Sequence, residues 1–303
     1  MKLLYQNTDI TSLVNIRSAD ITSNAGGKSD SLDIKFNDSQ KLWSVWKPQK
    51  NHKIELVHNG LASGIMYVDE LRQSRGVFVV RALSITQDAK TENSRAWENV
   101  RFLEFAQDLS AKNGFNLKTY GIENNLYVRI DQTERSDFDF LDYRCVLEGY
   151  ALKLYNGTAV IYSEKYIESQ QLIKTIYANQ FDGDYEFVCK STGVYGSSKF
   201  TYGDIKYTYA PGGIFGPVLK ITDVCAYNLA EAERYGKSML RFRNKYEYTG
   251  YFTIAIDTSI TAGNVINISG LGLSDGKYLI TQTIHKITSK KTYIKVRKTL
   301  EGY

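Results

Sequence analysis

Alternation of apolar and polar side chains over most of the 303 residues is the feature that most constrains the fold of this chain. Residues 31–36 and 53–57, for example, place every second side chain on one face, as a half-buried strand requires. Turn signals separate such segments, among them Asn59-Gly60. Several short strands at this spacing between Ile16 and Ile85 predict a small antiparallel barrel.

The composition supports a β protein. The chain has 23 tyrosines and 13 phenylalanines but only 3 prolines, a balance that suits pleated, half-buried surfaces better than a helical bundle. With 43% hydrophobic residues, the chain can bury more than one core, so we expect two or three domains.

A helical period interrupts the strands in the middle of the chain. Apolar residues recur at three-residue steps from Trp97 through Val100 to Leu109, and Asn113-Gly114 is a typical helix end. We therefore predict one helix that begins near Trp97, after a polar linker at residues 88–93.

A second helix is predicted from Ser136 to Gly149. Ser136 and Asp139 resemble a capping pair, and Phe138, Leu141 and Cys145 form an inner stripe. Together with strand-like segments at residues 126–130 and 158–162, the two helices predict a small α/β module.

Beyond Glu168 the strand pattern returns, interrupted by a surface helix near residues 223–243 and by a Gly/Ser/Tyr-rich stretch at 191–203 that favours an exposed loop or hairpin tip. The prediction is therefore a mainly β chain with an α/β insertion. We divide it into a β-barrel domain at 1–88, an α/β module at 89–168 and a second β-barrel domain at 169–303.

The few cysteines and histidines do not indicate a metal site or a disulfide framework. Three cysteines are an odd number without zinc-type spacing, and we interpret all of them as small buried hydrophobes. They are Cys145, Cys189 and Cys225, and the widely spaced histidines are His52, His58 and His285. No metal or other cofactor is predicted.

The densest acidic cluster suggests a catalytic site, but its position at the start of a predicted helix favours a structural role. The cluster comprises Asp131, Glu134, Asp137, Asp139 and Asp142. Carboxylates at the start of a helix complement its dipole and cap its free amides without any catalysis. The glycine-rich residues 270–276 are not followed by a helix, so they predict a hairpin turn and not a phosphate loop. No enzyme motif is found, and no catalytic residue is predicted.

The net charge of +5 is concentrated in residues 285–298, which alternate as a strand would. A nucleic-acid patch is one interpretation of this basic stretch. The solvated faces of two strands around a hairpin turn are the interpretation we favour.

No signal peptide is expected at the N-terminus, because polar residues interrupt its apolar run after Tyr5. No run of about 18 apolar residues occurs that could span a membrane. We expect a protein that is made in the cytoplasm and has no membrane partner.

The order of segments resembles the late control D family of phage tail proteins. Residues 26–34 are similar to the early Gly/Asp-rich turn that leads a strand in that family. Residues 132–141, from Gln132 through Ser136-Asp137 to Phe140-Leu141, resemble its central signature with one inserted arginine. Residues 230–236, 250–254 and 262–268 are similar to the family's surface helix and closing strands.

This resemblance implies a structural hub in the baseplate of a contractile particle, either a phage tail or a phage-tail-like bacteriocin. In the family, two tail-tube-like barrels per subunit form a trimeric ring that adapts a six-fold tail tube to a three-fold central spike. The implied partners are further copies of the chain, the tail tube protein, the central spike protein, the tape measure protein and other baseplate proteins.

Two other functions were weighed. A hub-associated peptidoglycan-degrading enzyme would require a catalytic Glu or a Cys-His constellation. A carbohydrate-binding β protein is suggested by exposed-looking tyrosines such as Tyr207 and Tyr209.

For a hub, we predict that polar segments contact partner subunits, because ion pairs at a rim set register and specificity. The predicted interface residues are Lys290, Lys291, Lys295 and Arg297 of the basic stretch, with Tyr195 and Tyr202 of residues 191–203.

Overall fold

The computed structural model describes residues 1–303, and the mainly β prediction is confirmed, with 46% of residues in strands and 19% in helices. The strands are β1 Lys2–Tyr5, β2 Thr8–Asp9, β3 Asn15–Asn24, β4 Ser31–Asn37, β5 Lys53–His58, β6 Leu61–Ala62, β7 Met66–Ser74, β8 Val77–Leu83, β9 Glu92–Arg101, β10 Asn116–Tyr120, β11 Leu126–Ser136, β12 Tyr150–Tyr155, β13 Thr158–Ser163, β14 Lys174–Tyr177, β15 Glu186–Cys189, β16 Ser197–Tyr202, β17 Ile205–Tyr209, β18 Val218–Ile221, β19 Tyr248–Ala255, β20 Val265–Ser269, β21 Gly276–Lys286 and β22 Lys291–Lys298. The helices are α1 Leu42–Trp46, α2 Phe102–Lys112, α3 Asp137–Glu148, α4 Glu164–Ser169 and α5 Leu229–Asn244.

Fourteen strands form one continuous sheet. Its main order is β15-β19-β22-β21-β3-β4-β8-β7-β5-β1-β2, with β6 beside β5, β20 beside β21 and β14 beside β20. The pairing path does not return to its first strand. The prediction of two separate closed barrels is therefore corrected to one open, largely antiparallel sheet.

The strands before and after the middle of the chain meet where β3 pairs with β21. This antiparallel pairing runs from Asp20 opposite Lys286 to Asn24 opposite Gln282. One apolar core, which includes Leu32, Phe36 and Trp43, packs on the N-terminal strands, and another, which includes Phe252 and Ile294, packs on the C-terminal strands. Two cores thus share one sheet.

The middle of the chain has the predicted helices and a core of its own. Ser136 caps α3 by accepting a hydrogen bond from the Asp139 N–H at 3.3 Å, as expected, and Gly149 ends the helix in the left-handed conformation at φ 77°. Phe138 and Leu141 are buried. The helices pack on a small sheet of the order β10-β13-β12 and on the β9–β11 pair.

Trp97 is not in a helix. The first helix, α2, begins at Phe102, and Trp97 lies in β9, where its ring stacks on Phe140 at 5.7 Å between centroids. Asn99 has a φ of 49°, and Trp97 and Val100 both pack on the same core. A left-handed residue interrupts the two-residue alternation of a strand and here leaves a three-residue spacing that imitates a helix.

Strands β16, β17 and β18 form a separate sheet against which α5 packs. Residues 191–203 are therefore only partly a loop, because 197–202 form β16 with Ser198 and Phe200 fully buried. Helix α5 begins at Leu229, later than predicted, where Asn228 Oδ1 accepts the Glu231 N–H at 2.9 Å.

The cysteine prediction holds for one residue of three. Cys145 is buried in the core of the middle segment, whereas Cys189 and Cys225 are exposed. Cys189 ends β15 at the margin of the large sheet, and Cys225 lies in the loop before α5. Because no other segment packs over these two positions, both thiols face solvent.

Candidate assembly surfaces

The tip of the β21–β22 hairpin presents basic side chains to solvent. Lys290 completes the turn with a φ of 55° and is exposed. Along β22, Thr292, Ile294 and Val296 point into the core, so Lys295 lies on the opposite, exposed face. Strand alternation is therefore the reason that these two lysines are available to a partner.

Lys291 is half-exposed at the start of β22. Its Nζ lies 2.8 Å from Asp182 Oδ2, and both side chains remain more than two-fifths exposed. Exposed ion pairs contribute little to stability, on the order of 0–1 kcal/mol. A partner could therefore replace Asp182 at small cost.

Arg297 does not belong to this surface, and its assignment to a partner interface is corrected. It is 1% exposed, and one terminal nitrogen lies 2.6 Å from Glu168 Oε1 and 3.5 Å from Glu164 Oε2. Helices α4 and α5 cover this end of β22. The charge of Arg297 is thus neutralised inside the chain.

Arg297 is one of five ionised groups in a buried cluster, which we call the α4–α5 ion cluster. Arg241 lies 2.7 Å from Glu168 Oε2, and Lys245 Nζ lies 2.9 Å from Glu164 Oε1. Burial alone would raise the pKa of Glu164, but Arg297 and Lys245 hold it below its ordinary value. Each carboxylate therefore contacts two basic groups.

Sequence reasoning missed this cluster although a signal exists. Glu164 and Glu168 are four residues apart on α4, and Lys245, which caps the end of α5, follows Arg241 of that helix by four residues. Residues at this spacing lie on one face of a helix. An acidic face and a basic face of two short segments would have suggested that the segments dock.

Tyr195 and Tyr202 differ in their exposure and in their hydrogen bonds. Tyr195 is half-buried, and its backbone N–H and C=O both bond to the Asn244 side chain, at 2.9 and 2.7 Å. Tyr202 is exposed at the end of β16, and the neighbouring Cys225 thiol raises the pKa of its phenol. No hydrogen bond or ion pair joins these tyrosines to the basic hairpin tip.

Two open sheet edges form a second candidate surface. β15 pairs with β19 on one side only, and Tyr185, Val188 and Cys189 are exposed there. β7 pairs with β8 along its length, but β5 reaches only Met66 and Tyr67. Val68 bonds to the backbone of Asn51 and His52, and the edge of β7 from there to Ser74 has no partner strand. Sequence alternation identifies strands but not which of them lie at an edge.

The groups that could have carried chemistry are engaged in structural bonds. His285 is buried, its Nδ1 lies 3.1 Å from Thr292 Oγ1 and its Nε2 lies 3.0 Å from the Ile260 carbonyl. Burial would raise the pKa of Asp137, but hydrogen bonds from Gln132, Lys112 and Asn113 bring it below its ordinary value. No group of three or more His, Cys, Asp and Glu side chains is placed to hold a metal ion.

None of the helices combines the length and the apolar character needed to cross a bilayer.

Comparison with protein-family models gives no match, and no curated protein matches by sequence. Solved structures, in contrast, match over nearly the whole chain. A tail protein from Neisseria meningitidis MC58 is 13% identical with a TM-score of 0.77, and the alignment covers 98% of this chain and 95% of that one. The 43 kDa tail protein of prophage MuSo2 from Shewanella oneidensis is 12% identical with a TM-score of 0.79 and 98% coverage of both chains.

The c3393 protein of E. coli, a type VI secretion component described as similar to the T4 phage tail proteins gp27 and gp5, is 12% identical. The match has a TM-score of 0.61 and covers all of this chain and 78% of that one. At such identities the likeness concerns the fold. The chain is thus structurally similar, over nearly its whole length, to phage tail proteins and to a component of the type VI secretion system.

Proposed function

We propose that this chain is a structural hub of the baseplate of a contractile injection particle. It assembles as a homotrimer and adapts a six-fold tail tube to a three-fold central spike. The fold shared with phage tail proteins supports a role in a tail. The engagement of His285 and Asp137 in structural bonds favours a scaffold over an enzyme.

The observation that carries the proposal is the pair of open edges on one continuous sheet. The run β15-β19-β22-β21-β3-β4-β8-β7 contains eight strands, with an open edge along β15 at one side and an open edge along residues 69–74 of β7 at the other. Open edges expose backbone N–H and C=O groups that pair readily with another chain, so a soluble assembly has to cover them.

A head-to-tail arrangement covers both edges at once. In this arrangement, β15 of one copy pairs with the open part of β7 in the next copy. Every subunit then uses two different edges. Such a contact closes into a ring when the rotation from one copy to the next is a whole fraction of a full turn. The two groups of strands in each subunit, joined at β3 and β21, then give six similar units in a trimer. This is the symmetry match that the family resemblance implies.

The remaining partners are proposed to bind outside the ring contact. Lys290, Lys291 and Lys295, together with Tyr202 and Tyr195, are assigned to contacts with the tail tube, the central spike, the tape measure protein or other baseplate proteins. The division into segments 1–88, 89–168 and 169–303 is part of the proposal, with the middle segment on the outside of the ring. The protein acts in the baseplate of the assembled particle.

Light scattering on the full chain tests the trimer, and one pair of variants tests the edge. Val188, on the open edge of β15, is 38% exposed, and Val128, on β11 outside the large sheet, is 50% exposed. A lysine on an edge strand opposes pairing with another chain. Val188→Lys is expected to shift the mass from trimer to monomer, whereas Val128→Lys is expected to leave the trimer intact.

A wild-type chain that stays monomeric, even when mixed with its tube and spike partners, would refute the hub. A trimer that survives Val188→Lys would keep the hub but reject β15 as the contact. Circular dichroism on both variants checks that each subunit is folded.

A further inference from the structure

A pocket of about 260 Å³ lies between β11, α3 and the loop that precedes α5. Its ionisable lining consists of three arginines and three carboxylic acids, namely Arg129, Arg135, Arg144, Asp131, Asp223 and Glu231. It is separate from the basic hairpin tip and from the open sheet edges.

Arg144 at the inner wall of the pocket is a buried cation without a carboxylate partner. It is 6% exposed, one terminal nitrogen donates to the Tyr235 hydroxyl at 2.7 Å, and its guanidinium stacks 4.8 Å from the Tyr127 ring centroid. Its Nε–H has no hydrogen-bond acceptor. The buried Arg241 and Arg297, in contrast, each contact a carboxylate. Buried charges are ordinarily paired. Glu148 and Glu231 act on the charge of Arg144 from nearby without bonding to it, so its Nε–H remains an unused donor.

Arg135 supplies a second guanidinium at the mouth of the pocket. It is exposed, makes no ion pair, and stacks 4.6 Å from the Tyr143 ring centroid. Burial raises the pKa of the Tyr143 phenol, while the charges of Arg144 and Arg135 both act to lower it. Arg135 and Arg144 both line the pocket, together with Tyr143.

The acids of the pocket are unequally engaged. Asp131 lies 2.9 Å from the Arg129 guanidinium, and Glu231 accepts the Tyr227 N–H at 3.1 Å and an Asn228 side-chain N–H at 3.2 Å. Asp223 is exposed and accepts no hydrogen bond within the chain. It is the one acid that is free to compete with a ligand for the arginines.

We propose that this pocket binds a carboxylate group of another polypeptide between Arg135 and Arg144. A guanidinium presents paired N–H donors that match a carboxylate in two parallel hydrogen bonds. Because the arginines and the acids are equal in number, the pocket has no surplus charge for a dianion such as phosphate. The inference goes beyond the hub role and does not depend on it.

Nuclear magnetic resonance of the nitrogen-15-labelled full chain tests the pocket through the Arg144 Nε–H signal. The probes are N-acetylglutamic acid α-amide for a side-chain carboxylate, N-acetylalanine for a terminal carboxylate, and neutral N-acetylglutamine α-amide as the matched control. Both carboxylates share the proposed chemistry, and the tighter one identifies the source. We expect a saturable shift with at least one of them and none with the neutral probe.

Two exposed residues give variants that should fold normally. Arg135→Gln is expected to weaken binding about tenfold, because a charge-assisted hydrogen bond is lost. Asp223→Asn is expected to tighten it about threefold, because the competing acid is removed. Arg75→Gln, which removes an exposed arginine from the turn between β7 and β8, should leave the affinity unchanged.

Equal binding of the neutral amide, or unchanged affinity in both Arg135→Gln and Asp223→Asn, would overturn the site. Tighter binding of inorganic phosphate than of either carboxylate would overturn the ligand class. Loss of the Arg144 shift in Arg135→Gln, with the control Arg75→Gln unaffected, would support it.

Discussion

Two basic residues of β22 lie in opposite environments. Lys295 is exposed, whereas Arg297, two residues further on and on the same side of an alternating strand, is 1% exposed and paired with Glu168. The difference comes from what packs above them, because α4 and α5 cover Arg297 and leave Lys295 free. A basic residue in a strand therefore takes its role from distant segments and not from its neighbours in sequence.

The largest effect is expected from removing Arg297. Arg297→Met removes the cation that Glu164 and Glu168 share and leaves each with one other cation, and the loss of these buried charge-assisted contacts costs about 3 kcal/mol. Lys295→Met, the same replacement on the exposed side, should change stability by less than about 0.5 kcal/mol. Urea unfolding of both variants measures the difference, and equal midpoints would show that the α4–α5 ion cluster does not stabilise the fold.

A second comparison sets the ion cluster against an apolar core. Leu141 is fully buried in α3, so Leu141→Ala should cost about 2–5 kcal/mol by lost burial and a residual cavity. Leu126 in β11 is 52% exposed, and Leu126→Ala is expected to cost less than about 1 kcal/mol. Thermal unfolding that shifts equally in the two variants would contradict the packing of α3 described above.

The next effect is the pH dependence of stability that Asp142 causes beside the α4–α5 ion cluster. Burial raises the pKa of Asp142 from 3.8 to about 6, with Lys245 opposing this and Asp139 and Glu164 adding to it. The folded chain holds this proton more tightly than the unfolded chain. The carboxyl group of Asp142 therefore does not lower the free energy of unfolding below about pH 4. It lowers that free energy increasingly as the pH rises to about 6.

Asp142→Asn removes that dependence. The variant should match the wild type near pH 4 and exceed its stability by about 3 kcal/mol above pH 7. Unfolding midpoints of the variant and the wild type, measured from pH 4 to above pH 7, test this prediction. A wild type that is relatively more stable at the higher pH would give the opposite sign and reject the raised pKa.

The smallest effect on folding, with a clear effect on assembly, is expected at the hairpin tip. Replacing Lys290, Lys291 and Lys295 with serine removes one exposed ion pair, to Asp182, and should change stability by less than about 1 kcal/mol. Assembly with tube or spike partners should weaken, and it should become less sensitive to salt than wild-type assembly. Normal particle yields from this variant would show that the lysines only face solvent.

Local signals in the sequence predicted local structure well. Ser136 and Gly149 mark the ends of α3 as caps should, because a cap depends on hydrogen bonds within one turn of the helix. The strand pattern was also sufficient to predict a mainly β chain. The first helix was predicted correctly except for its start, which was placed at Trp97 and not at Phe102 because Asn99, with a left-handed backbone, gives a strand a helix-like spacing.

What the sequence could not provide was the contact between distant segments. The β3–β21 pairing joins residues more than 250 positions apart, and this turns two predicted barrels into one sheet. The interface prediction failed at Arg297 for the same reason, since only the docking of α4 and α5 buries it. For the pocket beside Tyr143, no local motif links Arg135 and Arg144 to Asp223.

The α4–α5 ion cluster also has a consequence for the timing of synthesis. Glu164 and Glu168 are made long before Arg297, which follows Glu164 by 133 positions. At about 5–20 residues per second on the ribosome, the two carboxylates are made on the order of ten seconds before the cation that they share. During that interval the cluster lacks Arg297, so the chain can complete this junction only after β22 has emerged from the exit tunnel.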